Sequence, residues 1–203
     1  MHTRSVVIID DHEMMRAGLA ARLSERWRVT GEAGSLDEAS TLFADPAEWP
    51  DLVILDIELG KEWGIDLPGL LRKKNPEENK ILPPFLVYSV YDDYAHINAA
   101  LRAGIKSYVC KSQSADELLE AMENAVCGKK SFNSNLVHRM AAVSDLILGL
   151  TRREREIFNK VQHRFSNKEI AASLGVSLRT IENNLSILYD KTGVKNRREL
   201  EQL

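Results

Sequence analysis

The sequence predicts a doubly wound α/β domain of five parallel strands followed by a small all-α domain, and three observations carry that reading. Short apolar runs alternate with helix-patterned stretches five times between residue 1 and about residue 127. Residues 149–203 instead carry a succession of helix-cap signals. Charge divides along the same line. Residues 1–125 hold 13 Lys and Arg against 22 Asp and Glu, a net of −9, and residues 126–203 hold 14 against 8, a net of +6, which together give the −3 of the whole chain. An acidic front and a basic back predict different partners for the two parts, with a polyanion for the second.

Ser5–Ile9, Leu52–Leu55, Phe85–Tyr88 and Ser107–Cys110 read as buried strands, rich in β-branched and aromatic residues. Arg28–Ala33 is the weakest candidate and takes the place of the second strand. Helical patterns lie around 13–25, 36–44, 64–74, 93–103 and 114–126. Leu118, Met122, Ala125 and Val126 show the i, i+4, i+7, i+8 spacing of a core-facing stripe. Gly104 stands where a helix C-terminus favours glycine. In the second domain, Thr151-x-x-Glu154 and Ser166-x-x-Glu169 fit the capping box, with Ser177 and Asn196 as further N-caps and Gly175 and Gly193 at helix ends. Four helices follow, near 152–163, 167–174, 178–191 and 197–203.

Composition narrows the class. Of 203 residues, 44% are hydrophobic and 28% charged, which excludes wholesale disorder. No apolar run approaches the ~18 residues of a membrane span. Acidic residues follow the first apolar run at once, unlike a signal peptide, so Cys110 and Cys127 are expected as reduced thiols and the protein as cytoplasmic, with no membrane partner.

Polar residues placed after the strands are the informative part. Asp10 and Asp11 follow the first strand, Asp56 the third, Ser89 the fourth and Lys111 the fifth. Open α/β sheets bind ligands beyond the carboxyl ends of their strands, and with order 2-1-3-4-5 the crevice lies between strands 1 and 3. Three carboxylates there repel one another, and a hard divalent cation such as Mg2+ relieves them while leaving room for a phosphoryl oxygen. Lys111 adds a compact positive charge, Ser89 a hydroxyl donor, and an Asp beside a metal is a competent nucleophile. Taken singly, each residue reads as a helix cap, a turn or an exposed charge. Agreement at four strand ends favours the joint reading.

The acidic pair in VVIIDDH, the Asp in PDLVILDIELGKEWG, the Ser in LVYSV and the Lys in GIKSYVCKS together resemble the receiver domain of two-component response regulators, over about residues 4–126. The resemblance implies a flavodoxin-like fold, Asp56 as phosphoacceptor, and Mg2+ held by Asp11, Asp56 and the backbone carbonyl of Glu58, with Asp10 assisting through water. It implies Lys111 pairing with phosphoryl oxygens, Ser89 and Tyr108 as the switch pair, and Glu58 and Tyr91 at positions that tune phosphoryl lifetime. Gly60 stands where the family commonly has Pro, which predicts a more mobile loop, and Asn75–Pro84 lengthens the stretch before Ser89.

A short helix, a Gly-containing turn and a longer helix make a helix-turn-helix pattern, whose second helix enters the major groove of double-stranded DNA. A small helical interaction domain with a solvated basic surface fits the helical pattern equally well. LTRREREIF followed by FSNKEIAASLGVSLRTIENNLSILYDKTGVKNRREL resembles the LuxR-type DNA-binding domain, and the whole chain then resembles a response regulator of the NarL/FixJ subfamily. By this resemblance base contacts fall to Glu182, Asn183 and Ser186 on the recognition helix, with Thr180 beside them, while the flanking Lys168, Arg179, Lys191, Lys195, Arg197 and Arg198 are candidates for phosphate contacts. The recognition helix departs from the family's T-V-K-x-H pattern, having Thr180-Ile181-Glu182-Asn183-Asn184. Fewer positive charges predict a weaker phosphate term, with affinity leaning on a homodimer and on flanking basic residues.

The domains are expected over 1–127 and 149–203, with a linker over 128–148 in which Leu136, Met140, Val143 and Ile147 recur on one helix face. The predicted function is a DNA-binding transcriptional regulator switched by phosphoryl transfer from a histidine kinase, not a turnover enzyme. Two alternatives stand beside it: a regulator working without phosphorylation, and a metal-dependent phosphatase, because Asp56-Ile57-Glu58 loosely matches the haloacid-dehalogenase nucleophile motif. His12, His96, His138 and His163 show no partner pattern and read as structural.

Overall fold

The structure is a computed structural model, and it describes residues 3–74, 81–132, 143, 146–201 and 203. Two compact units emerge, Met1–Asp92 with His96–Asn133, and Ser134–Leu203 with Asp93–Ala95. In chain order the strands are β1 (Arg4–Ile9), β2 (Trp27–Ala33), β3 (Leu52–Leu55), β4 (Glu58–Leu59), β5 (Glu62–Trp63), β6 (Phe85–Ser89), β7 (Ser107–Cys110) and β8 (Ser131–Phe132). The helices, renumbered here, are α1 (Glu13–Leu23), α2 (Leu36–Leu42), α3 (Leu67–Lys74), α4 (Tyr94–Arg102), α5 (Ala115–Val126), α6 (Arg152–Gln162), α7 (Asn167–Leu174), α8 (Leu178–Thr192) and α9 (Arg197–Glu201). Among the described residues, no helix is long and apolar enough to cross a membrane.

The first unit is built on one parallel sheet in the order β2-β1-β3-β6-β7-β8. Its first five strands take the order expected. The sixth corrects the prediction of five strands: Ser131 and Phe132 pair in parallel with Ser107 and Tyr108, and the Ser131 amide donates to the Lys106 carbonyl at 3.0 Å. Two residues beside a lysine pair carry too little apolar pattern to be read as a strand. β1 and β3 are apolar runs because both sheet faces are covered, and Val6, Ile8, Leu52 and Ile54 are fully buried. Leu118, Met122 and Ala125 of α5 share a core with Leu19 and Leu23 of α1.

In the second unit the cap residues act as the sequence predicts. Thr151 with Glu154 and Ser166 with Glu169 close complete capping boxes, and Ser177 accepts from the Thr180 amide. Gly175 and Gly193 end their helices at φ 64° and 72°, the left-handed region that favours glycine. Ile157, Phe158, Ile170, Ile181, Leu185 and Leu188 form the core. Of the predicted linker stripe, Leu136 and Met140 lie outside the described residues, while Val143 and Ile147 pack into this core.

Candidate functional site

Backbone hydrogen bonds fix the strand ends at the carboxyl edge of the sheet. The Asp10 amide donates to the Ala33 carbonyl at 3.0 Å, that of Asp56 to Ile9 at 2.8 Å, and that of Lys111 to Ser89 at 2.7 Å. The sheet thereby brings the Asp10, Asp56 and Lys111 side chains together. Lys111 Nζ lies 2.6 Å from Asp10 Oδ2 and 2.5 Å from Asp56 Oδ2. Asp10 is 2% exposed, Asp56 6% and the Lys111 side chain 8%. Burial pushes the Lys111 ammonium down, but its hydrogen bonds to Asp10 and Asp56 and their charges outweigh this and hold its pKa above the usual lysine value.

Asp10, Asp11 and His12 offer ligand atoms that all lie within 4.8 Å of one another. Asp10 does not cap α1: its Oδ1 accepts from the His12 amide at 2.8 Å, and its carbonyl from Arg16 Nη1 at 2.7 Å. Asp11 Oδ1 stands 2.8 Å from His12 Nδ1, and its Oδ2 accepts from the Gly60 amide at 3.1 Å. Two carboxylates, one of them partly open to solvent, are the hard oxygen donors that Mg2+ takes, so the residues fit that ion. Asp56 lies outside this group and reaches it through Lys111.

Two glycines shape the loop that follows Asp56. Gly60 turns the β4–β5 hairpin at φ 64° and donates to Asp11, and proline could do neither. Gly64 was missed by the sequence reading. A Cβ there would stand 2.1 Å from the Asp56 carbonyl oxygen, and its amide donates to the Ile57 carbonyl at 2.7 Å. Its signal was only a glycine ending the quoted motif. Arg16, which braces the Asp10 carbonyl, gave no signal at all.

Ser89 is fully buried, and among the described residues its Oγ has no hydrogen-bond partner. The Tyr108 ring is buried as well, with its hydroxyl donating to the Tyr91 carbonyl at 2.6 Å. The Tyr91 hydroxyl in turn donates to Glu58 Oε2 at 2.7 Å.

In the second unit, Ile181, Leu185 and Leu188 bury one face of α8, while Arg179, Glu182, Asn183 and Ser186 lie on its exposed face at i, i+3, i+4 and i+7. Thr180, half-buried, shares a 2.8 Å hydrogen bond with Ser177 Oγ. Lys168, Lys195 and Arg198 are exposed. The other two predicted cations have partners within the domain. Lys191 Nζ donates to both Glu154 oxygens at 2.8 and 2.7 Å, and Arg197 reaches Asn167 Oδ1 at 2.6 Å, Glu201 and the Phe165 carbonyl.

Comparison with known proteins decides the family. The model of the response regulator receiver domain matches residues 6–123, and that of bacterial regulatory proteins of the luxR family matches 148–203. The chain belongs to the response regulators of the LuxR family. It is 28% identical to the response regulator protein VraR of Staphylococcus aureus (strain NCTC 8325 / PS 47) over 201 residues, covering 96% of this chain and 93% of that protein. Its fold is similar to response regulator ChrA of a heme-sensing two-component system (30% identity, TM-score 0.55, 99% of this chain and 96% of that one). It is also similar to RcsB of Salmonella enterica serovar Typhimurium bound to promoter rprA with the phosphomimetic BeF3- (23% identity, TM-score 0.68, 98% and 96%).

Proposed function

We propose that this response regulator is a phosphorylation-switched transcription factor of the cytoplasm. In this reading the receiver spans 1–127, the linker 128–148 and the DNA-binding domain 149–203. The observation that carries it is Lys111 bridging Asp56 and Asp10 at the carboxyl edge of the sheet. A histidine kinase or a small acyl phosphate is the donor. An Asp56 carboxylate oxygen bonds to phosphorus while the donor's P–N or P–O bond breaks, its electron pair leaving with the donor. Asp10, Asp11, Asp56 and the Glu58 carbonyl would hold Mg2+, which when bound supplies charge neutralisation for phosphoryl oxygens. Lys111 then turns from the Asp56 carboxylate to the phosphoryl group, and the partnerless Ser89 hydroxyl donates to it.

The added charge biases Ser89 and Tyr108, altering the face of α4, β7 and α5 and promoting a homodimer. Two copies set their α8 helices on double-stranded DNA, with Thr180, Glu182, Asn183 and Ser186 toward bases and Lys168, Arg179 and Lys195 toward phosphates. RcsB, a protein of similar fold, binds a promoter in the presence of the phosphomimetic BeF3-. The test is selection from a random-sequence DNA pool by protein treated with acetyl phosphate and Mg2+. Enrichment that disappears in Asp56→Asn is expected. Equal enrichment by both proteins favours a regulator that works without phosphorylation.

A further inference from the structure

Tyr91 belongs to a closed ring of contacts. Its hydroxyl donates to Glu58 Oε2 at 2.7 Å, and its ring stacks on His96 with centroids 4.0 Å apart and planes 8° from parallel. On its way round, the ring of contacts passes from His96 to Trp63, at 5.8 Å and 9°. Trp63 is the cross-strand partner of Glu58 in the β4–β5 hairpin, which closes it.

This ring stands beside the acceptor. Glu58 lies two residues beyond Asp56 and Tyr91 two beyond Ser89, and the strands leading to them, β3 and β6, are neighbours in the sheet. The Tyr91–Glu58 bond therefore spans the mouth between the Asp56 and Ser89 strand ends. Alone, a bond between two solvent-facing side chains gains little over the rotamer freedom it costs. Stacked rings remove much of that freedom in advance, because the Tyr91 plane is fixed before its hydroxyl is placed.

We propose that Trp63 and His96 are positioning residues: His96, stacked on Tyr91 and backed by Trp63 on its other side in the stack, holds the Tyr91 hydroxyl across the mouth and slows hydrolysis of phosphorylated Asp56. The inference rests on Asp56 as phosphoacceptor. In hydrolysis, a water oxygen bonds to phosphorus and the P–O bond to Asp56 breaks. The electron pair returns to the carboxylate, inorganic phosphate leaves, and one proton is released. Tyr91 on Glu58 obstructs the approach of that water. Loss of the stack frees the hydroxyl and should speed hydrolysis about tenfold, the rate equivalent of one hydrogen bond worth about 1.4 kcal/mol.

The experiment follows intact mass over time on the full chain, after acetyl phosphate is removed and Mg2+ retained. Trp63→Ala and His96→Ala should lose the phosphoryl group about tenfold faster than wild type, while Trp63→Phe and His96→Phe, which keep a flat ring, stay near it. The double variant Trp63→Ala/Tyr91→Phe should be no faster than Tyr91→Phe, because both changes act through one hydroxyl. Trp63 is 36% exposed, so the variant opens no core cavity, and urea midpoints verify folding. Wild-type lifetimes in the alanine variants, or rates that multiply in the double variant, overturn the inference alone. Failure of the wild type to take up phosphoryl at Asp56 overturns the phosphoacceptor reading and the inference with it.

Discussion

Lys111 holds Asp56 from across the sheet: its ammonium stands 2.5 Å from Oδ2 of the carboxylate, and a second carboxylate, Asp10, lies 2.6 Å from the same nitrogen. One cation thus neutralises two buried acids that repel each other. Removing it in Lys111→Ala leaves them uncompensated, at a cost of about 3–5 kcal/mol, the range for breaking a buried ion pair. Mg2+ can take over the neutralising role, so it should raise the melting temperature of Lys111→Ala by more than that of the wild type. Thermal melts with and without Mg2+ measure this, and equal shifts in both proteins contradict it.

Gly64→Ala should cost about 1–3 kcal/mol, as overpacking of a buried site does, because the new methyl meets the Asp56 carbonyl at 2.1 Å. Urea unfolding gives the loss. Acetyl phosphate uptake should fall as well, since relief of the clash displaces the Asp56 backbone.

Glu154 ties the second unit together through pH. The hydrogen bonds from Lys191, then that of the Thr151 amide, hold its carboxyl below the usual value of 4.5. A depressed folded pKa gives stability that is present above 4.5 and lost as pH falls through the folded value. Glu154→Gln should lower stability at neutral pH by about 1.5–3 kcal/mol, the worth of hydrogen bonds to a charged group. It should also flatten the fall between neutral pH and acid. Denaturant titrations at several pH values test both, and an unchanged pH profile argues against the tie.

On the exposed face of α8, Glu182 is the acidic residue among the predicted base contacts. Glu182→Lys should tighten DNA binding and steepen the dependence of log affinity on log salt by about 0.9, one phosphate contact. Lys191→Met, by contrast, should destabilise the domain more than it changes that slope, because its ammonium is held by Glu154. Mobility shifts across a salt series separate the two. Unchanged affinity and slope for Glu182→Lys place that face away from DNA.

Much of the site was legible because single residues at strand ends carry the chemistry. Asp10, Asp56 and Lys111 follow apolar runs whose order the β/α alternation sets, so their convergence needed no knowledge of packing. Helix caps in the second unit are equally local, as Thr151 and Glu154 show. What stayed hidden depends on contacts between distant segments. Gly64 matters only because the chain returns against the Asp56 carbonyl, β8 only because its backbone finds an open edge on β7. His96 read as a structural histidine, since its stacking partners lie far off in sequence. The cationic residues divide the same way: sequence marks Lys191 and Arg197 as basic, and only the fold shows their N–H donors engaged at Glu154 and Asn167.

In the proposed switch Asp56 accepts the phosphoryl group, and this acceptance drives assembly. Intact mass and solution size after incubation with Mg2+ and acetyl phosphate, wild type beside Asp56→Asn, test it most directly. A phosphoryl mass increment and a shift to dimer in the wild type alone is the predicted result. No increment, with beryllofluoride also leaving the size of the wild type unchanged, would contradict it.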